Sequence, residues 1–216
     1  MNDMSKSPIQ IRNDKLAEKV IKNLKKHFFD AYYVQTCEEA VALALSLIPE
    51  GNSVSWGGSQ TIRDIGLTKA LHEGNYNVLD RDLYEGAERM EVMRRALLCD
   101  TYVTSTNAIS EDGCLVNIDG NGNRVAAMCF GPKSVVVIAG MNKIAPTVAD
   151  AHVRARHTAA PMNAQRFQGS KTGCMVTGAC ENCCTNDTIC CYMVETRLSR
   201  PAGKIKVILV GEELGY

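Results

Sequence analysis

The stretch Ser134-Val135-Val136-Val137-Ile138-Ala139-Gly140 holds four β-branched residues in succession and no charge. Seven residues is strand length. A strand that is apolar at every position, not at alternate ones, is buried on both faces, as in a parallel sheet covered by helices. Directly after it comes Met141-Asn142-Lys143-Ile144. In open α/β sheets ligands bind past the carboxyl ends of strands. Asn142 and Lys143 stand at such a place, and Lys143 is suited to neutralising an acid group.

Outward from this strand, elements of both periods alternate. Upstream, Asn13–Phe29 and Cys37–Leu47 read as helices, the second punctuated by Pro49, Gly51 and Asn52. Ser53–Trp56 reads as a strand, and a helix is expected to start near Ser59 or Thr61, since Thr61 and Asp64 have capping-box spacing. Glu85–Leu98 reads as a helix and Thr101–Ser105 as a strand. Cys114–Ile118 and Arg124–Cys129 read as two strands joined by Asp119-Gly120-Asn121-Gly122-Asn123, a hairpin turn by composition. Downstream, Val148–Thr158 reads as a helix that Pro161 stops, and Lys204–Val210 as a last strand. Alternating helices and strands predict a layered α/β domain, with the hairpin making its sheet mixed.

The whole chain narrows the function classes. Its 216 residues suit one domain, 1–216, with a sizeable core. Formal net charge is zero, which argues against nucleic acid or an acidic membrane as partner. The opening Met1–Lys15 is polar and charged with no apolar h-region, and no apolar run is long enough to span a bilayer. A cytoplasmic location is expected. In a reducing compartment, ten cysteines point to metal or redox chemistry before disulfides.

Six of the ten fall in the run Gly173-Cys-Met-Val-Thr-Gly-Ala-Cys-Glu-Asn-Cys-Cys-Thr-Asn-Asp-Thr-Ile-Cys-Cys191, inside a polar segment from Gln165 to Cys191. Taking Cys174, Cys180, Cys183 and Cys190 gives C-x5-C-x2-C-x6-C. Four thiolates in one short loop can wrap a metal centre, and thiolates suit iron–sulfur clusters and zinc. A zinc ribbon separates its C-x2-C pairs by about 15 residues or more, so this compact run favours an iron–sulfur cluster, with zinc as the alternative. A redox disulfide is a third reading. Six cysteines in a polar loop do not all fit a core. Spacing does not choose within the doublets Cys183-Cys184 and Cys190-Cys191. Cys37, Cys99, Cys114 and Cys129 read as core filler.

Two polar turns are candidate ligand sites. Gly57, Gly58, Ser59 and Thr61 lie between a strand and a helix, where backbone N–H groups can take an anion; a tight structural turn is the plain reading. Thr106, Asn107, Ser110, Glu111 and Asp112 crowd the loop past a strand end. Glu111 or Asp112 would serve as general base or nucleophilic carboxylate, with Asn107 beside them; an Asx-rich loop is the competing reading. Asn123 and Arg124 can reach a pocket from the glycine-rich turn. Arg63, Arg154 and Arg156 read as solvated helix charges. No complete nucleophile–base pair or dinucleotide fingerprint is present.

Several segments together resemble the lactate-utilisation (LUD) domain family: Trp56-Gly-Gly-Ser-Gln-Thr61, Ser105-Thr-Asn-Ala-Ile-Ser-Glu-Asp-Gly113, Asn117-Ile-Asp-Gly-Asn-Gly-Asn-Arg-Val125, Gly131-Pro-Lys133 and Gly140-Met-Asn-Lys-Ile144. The resemblance runs from the N-terminal helix to the end of the cysteine run. It implies a fold similar to ribose-5-phosphate isomerase, glucosamine-6-phosphate deaminase and the CoA transferases, hence a three-layer α/β/α architecture with a mixed, mainly parallel sheet. Single-domain members carry a cysteine motif with which Cys174, Cys180, Cys183 and Cys190 align, which favours these four over Cys184 and Cys191. Thr188 stands where arginine is common and Cys191 where asparagine is common. The resemblance implies a link to oxidation of lactate; with the four spaced thiolates, the expectation is a cytoplasmic redox or electron-transfer component holding an iron–sulfur cluster, [4Fe–4S] by preference, in oxidation of lactate or a similar small organic acid. Expected partners are a small anionic metabolite, a redox protein and a second copy of the chain. The alternatives are a transferase or hydrolase acting on a CoA ester or sugar phosphate with a structural metal, and a non-catalytic iron or redox sensor.

Overall fold

The computed structural model describes residues 6–216; the first five residues of the polar opening stretch lie outside the described residues. Helix α1 (Pro8–Lys26) starts at Ser7, whose hydroxyl accepts from the Gln10 N–H while the Gln10 side chain accepts from the Ser7 N–H. Ala17, Val20 and Leu24, three and four residues apart, form its buried stripe. Then follow β1 (Asp30–Val34), α2 (Cys37–Ser46), β2 (Ser53–Trp56), α3 (Gln60–Asp64), α4 (Leu67–Glu73), β3 (Asn77–Leu79), α5 (Gly86–Arg95), β4 (Thr101–Thr104), β5 (Ala108–Ser110), β6 (Leu115–Asp119), α6 (Asn123–Cys129), β7 (Ser134–Gly140), β8 (Ile144–Ala145), α7 (Val148–Arg154), α8 (Ala160–Ala164), α9 (Gly173–Thr177), β9 (Tyr192–Thr196) and β10 (Ile205–Val210).

Among the described residues the strands form two sheets. The larger has six strands in the order β1-β10-β7-β4-β2-β3, every pairing parallel. The antiparallel pairings, β5 with β6 and β6 with β9, belong to a separate four-stranded sheet, β8-β5-β6-β9. The uncharged, β-branched run Ser134–Gly140 is β7, between β10 and β4. Its side chains alternate between two cores. Val135, Val137 and Ala139 join Leu24, Phe29 and Met128 on one face, and Val136 and Ile138 join Ala44, Trp56 and Leu71 on the other. Helices cover both faces, so the chain is a three-layer α/β/α domain with its parallel sheet at the centre.

Some expectations change. Asn123–Cys129 is helix α6, not the second strand of a hairpin. The Asp119 carboxylate accepts the N–H groups of Gly122, Arg124 and Val125, so the turn caps a helix where a hairpin was expected. Gly122 makes this possible with φ of 79°. Ser59, not Thr61, caps α3, accepting from the Ile62 N–H. Pro161 does not stop its helix. A π-helical turn, Ala155–Ala159, precedes α8 and widens the spiral where proline lacks an N–H and its ring would clash. The cysteine segment is followed directly by strand β9, which was not expected. Cys99 and Cys114 are core residues as expected, whereas Cys129 is exposed and the half-buried Cys37 donates to Glu212.

Candidate functional site

A cavity of about 1190 Å3 opens at the carboxyl ends of β2, β4 and β7. Gly57 to Thr61 enter it from β2, Ser105 to Asn107 from β4, and Lys143 from the end of β7. One wall is the turn 119–124. Another is the stretch from Asn186 to Cys191, contributing Asn186, Thr188, Ile189 and Cys191. Lysine and arginine outnumber aspartate and glutamate in the lining by seven to four, so the cavity favours an anion.

Lys143 is the deepest charge, 3 % exposed. Its Nζ donates to Thr61 Oγ1 and Ser105 Oγ, each at 3.1 Å. Among the described residues no carboxylate pairs with it. Burial, then Arg154 and Arg124, pull its pKa from 10.5 to about 7. An amine held so, bordering a cavity, is either half-neutral at physiological pH or completed by a bound anion.

The structure gathers most of the expected site residues. Gly57, Gly58, Ser59, Thr61, Thr106, Asn107, Asn123, Arg124 and Lys143 all line the cavity. Several are already engaged. Ser59 caps α3. Thr106 Oγ1 donates to the Ala108 and Val116 carbonyls. Asn107 Oδ1 accepts from the Ile118 N–H and from Arg124. Arg124 spreads its guanidinium over Ser105 O, Asn107, Asn117 and Ile118 O, so it braces the loops under the cavity and presents few free donors to it. Asn142 is outside the lining and exchanges hydrogen bonds with the Leu214 backbone. Glu111 and Asp112 also stand outside: Glu111 pairs with Lys19 on α1, and Asp112 accepts from the Ser110 hydroxyl. Glu111 ties the β5–β6 turn to α1, Asp112 and Ser110 bond to each other within that turn, and neither carboxylate lines the cavity.

The cysteine segment is seated on the glycine turn. A Cβ on Gly120 would lie 3.4 Å from the Ile189 Cα, and one on Gly122 would lie 3.1 Å from the Tyr192 ring. Cys174 is buried; Cys180, Cys183 and Cys190 are half-buried; Cys184 and Cys191 are exposed. Cys190 also packs against the apolar cluster of Ala108, Val116, Ile118 and Ala151. Burial, followed by the nearby thiols of Cys180, Cys174 and Cys183, pushes Cys190 up to about 11. Those are the three thiols the sequence resemblance grouped with it. Arg156 Nε lies 3.4 Å from Cys180 Sγ, and its Nη2 donates to Asn182 Oδ1. Burial raises the Cys180 pKa, but the Asn182 N–H and Arg156 outweigh it and leave the thiol below its ordinary value. Among the described residues no three His, Cys, Asp or Glu side chains are drawn together around a single-ion position.

Sequence reasoning missed Arg81, Arg166, Ser105 and the arginines of the α7 region as site residues. Arg81 lines the cavity, and its Nε, 3.8 Å from Asp82, is buried without a hydrogen-bond partner among the described residues. Gly58 leaves room for it, since a Cβ there would stand 2.7 Å from Arg81 Nη2. Arg166 donates to the Gly58 carbonyl. Arg154, expected in solvent, donates to the Asn142 and Asn107 carbonyls, and Arg156 meets the cysteines. Arg63, also expected in solvent, pairs with Asp82 in the cavity wall. No local spacing carries these placements; they depend on packing across the chain.

The LUD domain family model matches residues 17–210. The chain belongs to the LUD domain family. Among solved structures, this LUD domain is similar to a DUF162 family protein from Deinococcus radiodurans, with 14 % identity and a TM-score of 0.55, over 92 % of this chain and 98 % of that one. That likeness concerns the fold. Looser likenesses are to the β subunit of eIF2B from Chaetomium thermophilum (13 % identity, TM-score 0.38, 52 % of this chain and 44 % of that one) and to a Pseudomonas malonate decarboxylase hetero-tetramer in complex with malonate (14 %, 0.39, 67 % and 35 %). A comparison with curated proteins returns no sequence match. No helix among the described residues is long and apolar enough to cross a membrane.

Proposed function

We propose that this LUD domain binds a small organic anion on Lys143 and carries an iron–sulfur cluster on Cys174, Cys180, Cys183 and Cys190. It would thereby serve as a redox component in the oxidation of lactate or a similar acid. One observation carries the reading: the segment that bears the cysteines forms a wall of the cavity into which Lys143 projects. The chemistry of the donor set supports the reading. It offers four thiols, Arg156 beside one of them, and an apolar face behind Cys190. When bound, the cluster supplies one-electron chemistry. Lys143, buried and with no carboxylate partner among the described residues, would neutralise the carboxylate, while Arg81 adds positive charge to the same cavity wall. Arg124 and Asn107 would keep the strand ends fixed under the anion. A protein redox partner and self-association complete the proposal.

The test is purification without oxygen, followed by visible absorption and assays of iron and acid-labile sulfide. Addition of lactate or pyruvate should then perturb the spectrum of wild-type protein and not that of Lys143→Met. A colourless protein with stoichiometric zinc would sink the redox reading. In that case the size of the cavity favours the second reading, a transferase or hydrolase with a structural metal. At about 1190 Å3 it exceeds the usual range of about 300–1000 Å3 for small-ligand pockets and suits a CoA ester or sugar phosphate.

A further inference from the structure

We infer that Lys143 is a nucleophilic amine, forming an imine with the carbonyl carbon of a small 2-oxo acid bound in the cavity. The inference rests on the cavity being an anion site and adds the chemistry of its central residue. A lysine whose task is only to pair with protein charge sits against a carboxylate. Lys143 instead has two hydroxyl neighbours, Thr61 and Ser105, and two flanking arginines, Arg124 and Arg154. Desolvation and neighbouring cations are the two standard means of keeping a lysine amine unprotonated and reactive. Here both act on a residue that borders open space. Geometry points the same way. A neutral amine has two N–H groups and one lone pair. With both N–H groups accepted by Thr61 Oγ1 and Ser105 Oγ, the lone pair is the position left for a ligand.

The step balances without an external oxidant. The Nζ lone pair attacks the carbonyl carbon and the C=O π electrons move to oxygen, giving a carbinolamine. Its C–O bond then breaks as C=N forms, and the two protons of the amine leave with the oxygen as one water. The surrounding cations attract the carboxylate of the 2-oxo acid, which places the carbonyl next to it within reach of Nζ. A 2-oxo acid is also what oxidation of a 2-hydroxy acid yields, so the same cavity would hold substrate and product differently.

The experiment is reductive trapping on the intact 216-residue chain. Wild-type chain is incubated with pyruvate and sodium cyanoborohydride, then digested and mapped by mass spectrometry, with propanal as a carbonyl lacking a carboxylate. The expected result is one dominant adduct on Lys143, blocked by excess lactate and absent from Lys143→Arg. The wild-type map locates the adduct by itself, so the result does not depend on how the variant folds. No adduct, or adducts spread over surface lysines, would overturn the inference. Lactate binding by calorimetry with no trapping would overturn it while leaving the anion site standing. Lys143 labelling that is equal with propanal and indifferent to lactate would support the nucleophile and overturn the anion site.

Discussion

Replacing Lys143 by methionine should make the protein more stable at neutral pH and less stable at alkaline pH. In the folded chain the amine titrates near 7, against 10.5 for an ordinary lysine. The unfolded chain therefore binds the extra proton between these values, and stability must rise with pH across that window. Below about pH 7 the ammonium is present in both states and the full penalty applies. At about 1.4 kcal/mol per pH unit it amounts to about 5 kcal/mol, of which about 4 kcal/mol remains at pH 7 and about 1.4 kcal/mol at pH 9.5. Against this, methionine forfeits the bonds to Thr61 and Ser105, at about 1 kcal/mol each. The variant should thus gain about 2 kcal/mol at pH 7 and lose slightly less than 1 kcal/mol at pH 9.5. Urea denaturation of both proteins at the two pH values measures the difference, because the slope with denaturant should be unchanged. A variant that is destabilised equally at both pH values would refute the premise that Lys143 is a buried charge held at a cost.

Other substitutions separate the parts of the site. Serine in place of Cys174, Cys180, Cys183 or Cys190 should abolish bound iron and sulfide, whereas Cys184→Ser and Cys191→Ser, at exposed positions, should retain both; loss in the second pair alone would reassign the ligands. Asp119→Ala removes the acceptor for three N–H groups at the start of α6 and should cost about 1–2 kcal/mol in urea denaturation. Glu111→Gln breaks only the pair with Lys19, outside the cavity, so it should lower stability by less than about 1 kcal/mol and leave lactate affinity by calorimetry unchanged. A large loss of affinity in that variant would restore Glu111 to the site.

The sequence disclosed what depends on neighbours in the chain. A run of β-branched residues marks β7 whatever packs on it, and Lys143 inherits its place at a strand end from that run. The helical spacing of Ala17, Val20 and Leu24 is equally local. β1 was hidden because, of its five residues, only Ala31 is fully buried, which leaves no alternation to read. β9 was hidden because its residues are largely exposed and it is held through pairing with β6. In Asn123–Cys129 apolar residues suit either period, and the Asp119 cap decides for helix. Arg81 and Arg156 owe their roles to groups 12 or more residues away, Met93 for the one and Cys180 for the other.

The seating of Ile189 and Tyr192 on Gly120 and Gly122 has a thermodynamic consequence. Asn186, Thr188, Ile189 and Cys191 wall the cavity in the arrangement that rests on that turn. Whatever fixes the cysteines in place therefore preorganises the enclosure, and whatever fills the enclosure steadies the cysteines. Two ligands that favour one arrangement of a shared wall must strengthen each other's binding by the same factor. If the chain holds both the anion and the cluster proposed above, anion affinity measured with and without metal, and metal retention measured with and without the anion, are a single coupling free energy read from two sides.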